Sequence, residues 1–145
     1  MKEKRAMLDY TGYLKRLQQG DYSENPFLDF LGITLDEIGD GYVRFTMETR
    51  TEFMQANGVM QGGLIVAMAD ESIAHAIMTL MEPHEGIATV EVKNNFLSTV
   101  GGGTLIAEAT VFKKGRSLVV GDCIVTTDEG RAVARSSATF LICRE

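Results

Sequence analysis

The stretch GGLIVAMADESIAHAIMTLM, residues 62–81, is the most apolar part of the chain and decides its fold class. Pro83 follows it, and because the residue before a proline avoids the helical region, the stretch predicts one long helix that ends there. The predicted helix covers residues 64–81, opens after a glycine pair and would be about 27 Å long. Two acids and His75 lie at its middle, where they would be costly in lipid. We therefore predict a buried helix of a water-soluble protein and not a membrane span.

Alternating patterns on both sides of this helix predict strands. Val43, Phe45 and Met47 alternate with polar residues, which is the period of a strand with one buried face. After Pro83 the chain consists of β-branched runs separated by short turns rich in glycine and charge. Short turns allow only antiparallel pairing. The predicted strands cover residues 43–48, 87–97, 104–112, 118–127 and 131–143.

These elements predict an α+β fold in which a five-stranded antiparallel sheet wraps round the long central helix. The sheet needs cover on one face, and only the central helix is apolar enough to provide it. An apolar stripe with helical spacing predicts an extra helix near the N-terminus, ended by Gly20. The stripe consists of Met7, Tyr10, Leu14 and Leu17. We predict one domain over residues 1–145, with residues 1–25 as an N-terminal helical extension.

The composition excludes several classes of protein. The chain has 145 residues, 45% hydrophobic and 23% charged, which is typical of one globular domain and excludes a disordered or collagen-like chain. Acidic residues outnumber basic ones by 20 to 14, so the net charge of −6 offers no footprint for nucleic acid or an anionic membrane. No apolar segment of a signal peptide follows the N-terminal charges. Cys123 and Cys143 lie in apolar runs, as expected of reduced thiols, with one disulfide left open; we predict a cytoplasmic protein.

The central helix carries one acid in an unexpected place. On a helical wheel Glu71, Ser72, His75 and Thr79 share one arc, which we interpret as an ordinary polar face where Glu71 and His75 can pair. Asp70 instead lies among apolar neighbours, where a carboxylate costs several kcal/mol unless it is paired, solvated or protonated. Two interpretations stay open. Asp70 is either a structural hydrogen-bonding group, or an acid or base in a cleft whose pKa is raised by burial.

The run NGVMQGG, residues 57–63, is the second unusual feature. Two glycines at the start of a helix let a backbone or a ligand approach closely, and the unpaired N–H groups there carry partial positive charge. Such a turn can serve as an oxyanion hole for a carbonyl that develops negative charge. Close packing of the helix against the sheet also favours glycine and remains an alternative.

Other catalytic chemistries lack their motifs. The chain has 2 histidines and no Cys-x-x-Cys pair, so we predict no metal site. It has no Gly-x-Ser-x-Gly elbow for a serine nucleophile and no glycine pattern of nucleotide binding. Hydrolysis by water, a carboxylate and an oxyanion hole is the chemistry that remains.

The two unusual features together resemble a known signature. Gln55, Gly58, Gln61-Gly62-Gly63 and Asp70 are similar in order and spacing to the motif of hotdog-fold acyl-CoA thioesterases of the phenylacetate-degradation type. That motif reads Asn/Gln-x-x-Gly-x-x-His-Gly-Gly, with an Asp or Glu nine residues after the His. The resemblance continues over residues 26–142. Its later parts are Thr89-Val90-Glu91-Val92, Asn95-Phe96-Leu97, Lys114-Gly115-Arg116 and Ala138-Thr139-Phe140.

The resemblance implies a hotdog fold, assembly into homodimers or dimers of dimers, and hydrolysis of an acyl-CoA without any cofactor beyond the coenzyme A of the substrate. It implies a site at the dimer interface, where the acid of one subunit faces the glycine-rich loop of the other. Asp70 would be the general base or nucleophile, and the Gly62 N–H would polarise the thioester carbonyl. Gln55 would orient substrate or water, and Thr89 would help to hold the water.

With an acyl-CoA as the implied substrate, further residues become candidates for binding it. Lys113, Lys114 and Arg116 share one predicted turn, where they would hold the phosphates of coenzyme A, or else form an ordinary solvated turn. Asn95 would contact the pantetheine arm, with termination of strand pairing as the alternative. The predicted substrate-binding set is Asn57, Gly63, Asn95, Lys113, Lys114 and Arg116.

Gln61 departs from the motif, because it stands where the family has its histidine. An amide can donate a hydrogen bond to the carbonyl but cannot carry a proton. Two hypotheses follow: a thioesterase, or an acyl-CoA-binding or sensor module that has lost efficient catalysis. A third, hydration or dehydration of an acyl chain, needs a histidine on the central helix, and His75 lies on the polar arc.

Overall fold

The alternating segments form one antiparallel sheet around the central helix, which confirms the predicted α+β architecture. A computed structural model describes residues 7–144. The helices are α1 (Tyr10–Gln18), α2 (Pro26–Leu31) and α3 (Gly62–Met78), with a 3-10 turn at Thr51–Phe53. The strands are β1 (Ile33–Gly39), β2 (Tyr42–Glu48), β3 (Glu85–Phe96), β4 (Thr104–Lys114), β5 (Leu118–Thr127) and β6 (Ala132–Arg144).

The strand order β1-β2-β4-β5-β6-β3 places β1 and β3 at the two edges of the sheet. The central helix α3 packs across the inner face and contacts every strand. Apolar side chains from both layers meet in one core, because each layer must bury its apolar face against the other. The largest of these buried side chains include Phe45, Met68, Ile73, Leu105 and Phe140.

The prediction of five strands is wrong, since the sheet has six. The missed strand is β1, which pairs with β2 in antiparallel register. A bulge between Leu35 and Glu37 leaves Asp36 without a pairing partner and breaks the alternation of buried and exposed residues. The sequence pattern therefore loses its period of two in the middle of a short strand.

The interpretation of an ordinary polar face on α3 is also wrong. Ser72 and His75 are fully buried, and Tyr13 of α1 packs against the His75 ring. The His75 Nδ1 lies 2.6 Å from the Glu71 carbonyl oxygen and must donate to it, so His75 Nε2 accepts from the Tyr13 hydroxyl at 2.7 Å. Asn25 Nδ2 in turn donates to the Tyr13 oxygen at 3.0 Å and to Glu71 Oε2 at 3.4 Å. The network fixes the N-terminal segment on the central helix.

We expect this network to make the fold sensitive to acid. Burial lowers the pKa of His75 to about 4 from 6.5. The unfolded chain therefore binds a proton between these values and the folded chain does not, so stability is lost as the pH falls from 6.5 toward 4, by about 3 kcal/mol. Urea unfolding across this pH range should show the loss in the wild type. The His75→Gln variant should be less stable at pH 7 and should lose this contribution; an unchanged slope would contradict the assignment.

The ends of α1 and α3 differ from the predicted ends. α1 begins at Tyr10, where the Asp9 carboxylate accepts from the Gly12 N–H at 3.3 Å, and residues 1–6 of the predicted stripe region lie outside the described residues. α3 ends at Met78, before the predicted Met81. Next to it the Thr79 hydroxyl accepts from the Gly41 N–H, which ties this helix end to the β1–β2 turn.

Two further expectations concern a disulfide between the two cysteines and a helix that spans a membrane. Cys123 is buried and Cys143 is partly exposed, and both are free, so the disulfide that the sequence left open does not form. Among residues 7–144, α3 and the other helices are too short or too polar to cross a membrane.

Candidate active site

The glycine pair lies at the first turn of α3, as predicted. Gln61 caps the helix: its backbone is extended, and its side-chain Oε1 accepts from the Gly63 N–H at 3.2 Å. The Gly62 N–H is one of the orphan donors of a helix start, and no atom of residues 7–144 accepts it. The turn therefore presents one free N–H, together with the positive end of the helix dipole, to a ligand.

The preceding loop is held by its own hydrogen bonds. Gln55 accepts from the Gly58 N–H at 2.9 Å, and Gly58 has a φ of +80°, which favours glycine. The Gln55 side chain donates to the Met60 carbonyl at 3.3 Å, and the Asn57 side chain accepts from the Val59 N–H at 3.4 Å. Both side chains thus shape the loop that leads to Gly62, and both remain exposed to solvent.

Asp70 lies near the middle of α3 and is half-buried. The Thr89 hydroxyl, on β3, donates to Asp70 Oδ1 at 3.2 Å. Burial raises the pKa of the Asp70 carboxyl, and the hydrogen bond from Thr89 opposes this rise. A carboxylate with a raised pKa is a better proton acceptor, so the arrangement fits a general base.

The carboxylate and the free N–H are too far apart to act on one carbonyl within a single chain. Gly62 and Asp70 are separated by eight positions on α3, which corresponds to about 12 Å along the helix axis. A base that acts through water and an oxyanion donor must both lie within a few ångströms of the same reacting group. Within one chain, Asp70 and Gly62 are therefore two separate candidate groups.

The edge strand β3 is 12 residues long and unpaired on its outer side within the described residues. A bulge at Val90, between Thr89 and Glu91, interrupts its pairing with β6. Val90 is 58% exposed and Leu97 is 57% exposed. The unpaired N–H and C=O groups of a long exposed edge favour pairing with another strand.

The predicted coenzyme A residues do not form one group. Asn95 lies opposite Arg135 on β6, and its side chain points to the outer face of the sheet, away from α3. Lys114 Nζ donates to the Leu80 carbonyl at 2.8 Å and to Glu85 at 3.4 Å, so it holds the end of the central helix. Lys113 and Arg116 remain exposed along a groove of about 340 Å³.

Phe96 is a residue of the site that sequence reasoning missed. It ends β3, and the edge of its ring lies against Gly62: a Cβ built on Gly62 would be 2.9 Å from Phe96 Cζ. Val92, Asn94 and Phe96 alternate on the face toward α3, so the period of two places the ring correctly. The bulge at Val90 interrupts this alternation between Thr89 and Phe96. The sequence pattern therefore does not show that Thr89 and Phe96 face the same side of the sheet.

No group of three His, Cys, Asp or Glu side chains within residues 7–144 is arranged to hold a metal ion. The candidate catalytic groups are the Asp70 carboxylate, the Thr89 hydroxyl and the Gly62 N–H. A family model described as thioesterase superfamily matches residues 57–134, more than half of the chain. The chain belongs to the thioesterase superfamily.

Solved members of the thioesterase superfamily have the same fold. A thioesterase family protein from Silicibacter pomeroyi is 28% identical, with a TM-score of 0.83 over 92% of this chain and 100% of that chain. A thioesterase from Haemophilus influenzae is 26% identical, with a TM-score of 0.82 over 99% of this chain and 96% of that chain. These similarities confirm the predicted hotdog arrangement of sheet and helix.

A further relative of the chain carries a more specific name. The 1,4-dihydroxy-2-naphthoyl-CoA hydrolase of Listeria monocytogenes is 22% identical over 112 residues, which cover 77% of this chain and 91% of that protein. The predicted fold and the thioesterase family are thus confirmed. The phenylacetate-degradation type, the substrate and the roles of the site residues stay predictions.

Proposed function

We propose that the protein is an acyl-CoA thioesterase of the phenylacetate-degradation type, which hydrolyses its substrate to a free acid and coenzyme A. The observation that carries this proposal is the pairing of two features on α3. Asp70 is a half-buried carboxylate held by Thr89, and the Gly62 N–H has no acceptor within residues 7–144. A base and an oxyanion donor are the groups that hydrolysis of a thioester needs. The Listeria relative, named as a CoA-thioester hydrolase, supports the substrate class.

The proposed reaction starts with the thioester oxygen at the Gly62 N–H. Asp70 takes a proton from a water molecule as the water oxygen attacks the carbonyl carbon. The tetrahedral intermediate places its negative charge on the oxygen held by Gly62. The C–S bond then breaks, and the proton on Asp70 passes to the departing thiolate. The alternative for Asp70 is direct attack, with water cleaving the resulting anhydride.

Two subunits are needed for this reaction, because Gly62 and Asp70 are about 12 Å apart along α3. We propose that β3 pairs with β3 of a second copy and that the Asp70 of one subunit faces the Gly62 of the other. The unpaired edge of β3, with the exposed Val90 on it, supports this assembly. Two such dimers would form the tetramer that the resemblance implies.

The remaining predicted residues take supporting roles in this proposal. Gln55 and Asn57 shape the loop before Gly62, and Gly63 anchors the Gln61 cap. Lys113 and Arg116 bind coenzyme A phosphates in the proposal. The proposed reaction uses water, Asp70 and the Gly62 N–H, so we propose no cofactor beyond the coenzyme A of the substrate. The free thiols in the described chain favour the cytoplasm as the proposed location.

A second candidate function is an acyl-CoA-binding module without efficient catalysis. Gln61 favours it, because this side chain caps α3 through Gly63 and has no proton to transfer. The experiment that separates the two is release of free thiol from a panel of aromatic and aliphatic acyl-CoAs. We expect steady release with at least one of them. Tight binding by calorimetry with no release over hours would instead establish the binding module.

A further inference from the structure

Phe96 presents an exposed aromatic ring directly beside the proposed oxyanion donor. Its side chain fills the space where any residue larger than glycine at position 62 would place its Cβ, 2.9 Å from Cζ and 3.1 Å from Cε1. The residue is nevertheless 56% exposed, so the ring covers the start of α3 on one side and meets open space on the other. An aromatic ring left in this position offers apolar surface to a ligand at Gly62.

The chemistry of a thioester brings part of the substrate onto this ring. If its oxygen lies about 3 Å from the Gly62 nitrogen, the carbonyl carbon is one bond further, and the acyl chain begins at that carbon. The Phe96 ring lies against the same residue, Gly62, and is therefore the aromatic side chain placed nearest the expected first acyl carbons. A phenyl ring has no hydrogen-bonding group, so a carboxylate placed there would lose water without a replacement partner.

We propose that Phe96 is a specificity-determining residue whose ring forms the wall of the acyl site next to Gly62 and selects apolar acyl groups over charged ones. This inference rests on the proposed thioesterase function and names its substrate class. Apolar contact with the ring stabilises an aliphatic or aromatic acyl group, while a dicarboxylic acyl group gains nothing from it. The glycine at position 62 suits the same contact, because a side chain there would displace the ring.

The test compares hydrolysis of hexanoyl-CoA, benzoyl-CoA and succinyl-CoA by the wild type and by the Phe96→Ala and Phe96→Leu variants. For the two apolar substrates we expect Phe96→Ala to raise KM about tenfold with little change in kcat. For succinyl-CoA KM should stay nearly constant. Phe96→Leu should restore most of the affinity for hexanoyl-CoA. Phe112→Ala is the matched control, since Phe112 lies on β4 and is 77% exposed.

A second measurement tests the contact between Gly62 and the Phe96 ring. Gly62→Ala keeps the backbone N–H but pushes the ring away, so it should raise KM for hexanoyl-CoA in the same way as Phe96→Ala. The double variant should then be no worse than Phe96→Ala alone, because the two changes remove one contact. Fully multiplicative losses would show that the two positions act independently and would overturn the inference.

Several other outcomes would also test the proposed role of Phe96. An equal loss on all three substrates, or a shift of Phe96→Ala to monomers in sedimentation, would make Phe96 an assembly contact and not a specificity residue. No change in KM would also contradict the proposal. If the wild type releases no thiol, the proposed function fails on its own. Calorimetry with the same three acyl-CoAs then tests the wall, since Phe96→Ala should still weaken binding of hexanoyl-CoA and not of succinyl-CoA.

Discussion

Asp70→Asn should reduce thioester hydrolysis by about a thousandfold while the fold and the binding of acyl-CoA persist. The amide is nearly the same size as the carboxylate, and its oxygen can still accept the hydrogen bond from Thr89. It cannot take a proton from water or form an anhydride. The measurement is free-thiol release, accompanied by the thermal unfolding midpoint and by calorimetry with the same acyl-CoA.

Glu71→Gln is the matched control for this prediction. Glu71 is the next residue on α3, is also partly buried and has its own raised pKa, caused first by burial. Its carboxylate, however, faces Asn25 and the His75 network and not Thr89. We expect Glu71→Gln to keep activity within about tenfold of the wild type. Undiminished rates in Asp70→Asn, or an equal collapse in Glu71→Gln, would remove Asp70 from the proposed role.

Gly62→Pro should lower kcat by about a hundredfold to a thousandfold, which is the usual effect of losing one oxyanion donor. Proline has no N–H, yet it is well tolerated at the first position of a helix, where that N–H has no helical acceptor. The preceding residue also suits a proline, because Gln61 has a φ of −61° and a ψ of 124°. The substitution therefore removes the proposed donor and leaves α3 intact.

Gly62→Ala is the control that separates the N–H from the added bulk. Both substitutions place a carbon against the Phe96 ring, so both should raise KM for apolar substrates. Only Gly62→Pro should lower kcat strongly. Equal kcat values in the two variants would show that the backbone N–H at position 62 does not hold the oxyanion, and circular dichroism would verify that the helix content is unchanged.

Local patterns predicted most of the fold. The range predicted for β5 agrees with the strand observed at Leu118–Thr127, because its alternation is unbroken and both ends are turns. The alternation does not reveal β1, because the bulge at Asp36 changes the phase of a short strand. The interpretation of a polar face fails because the burial of His75 depends on Tyr13, which is far away in the chain and contacts His75 only in the folded protein.

Local sequence patterns likewise predict only part of the candidate site. The misfit of Asp70 on an apolar side and the glycine pair at a helix start are local signals, and the structure places both on α3. Which side chains lie beside them is set by strand register. Thr89 lies beside Asp70, and the bulge at Val90 interrupts the alternation along β3 that would otherwise relate Thr89 to Phe96. Charge spacing alone also could not show that Lys114 is engaged by Leu80 and Glu85.

The central claim is that the Asp70 of one subunit and the Gly62 of another form one thioesterase site. The most direct test is a dimer that contains one Asp70→Asn subunit and one Gly62→Pro subunit, purified through a different affinity tag on each. Such a dimer has one site with both native groups and one site with neither. We predict about half the wild-type thiol release per dimer, although each variant alone is nearly inactive. A mixed dimer as inactive as the two parents would contradict the shared site.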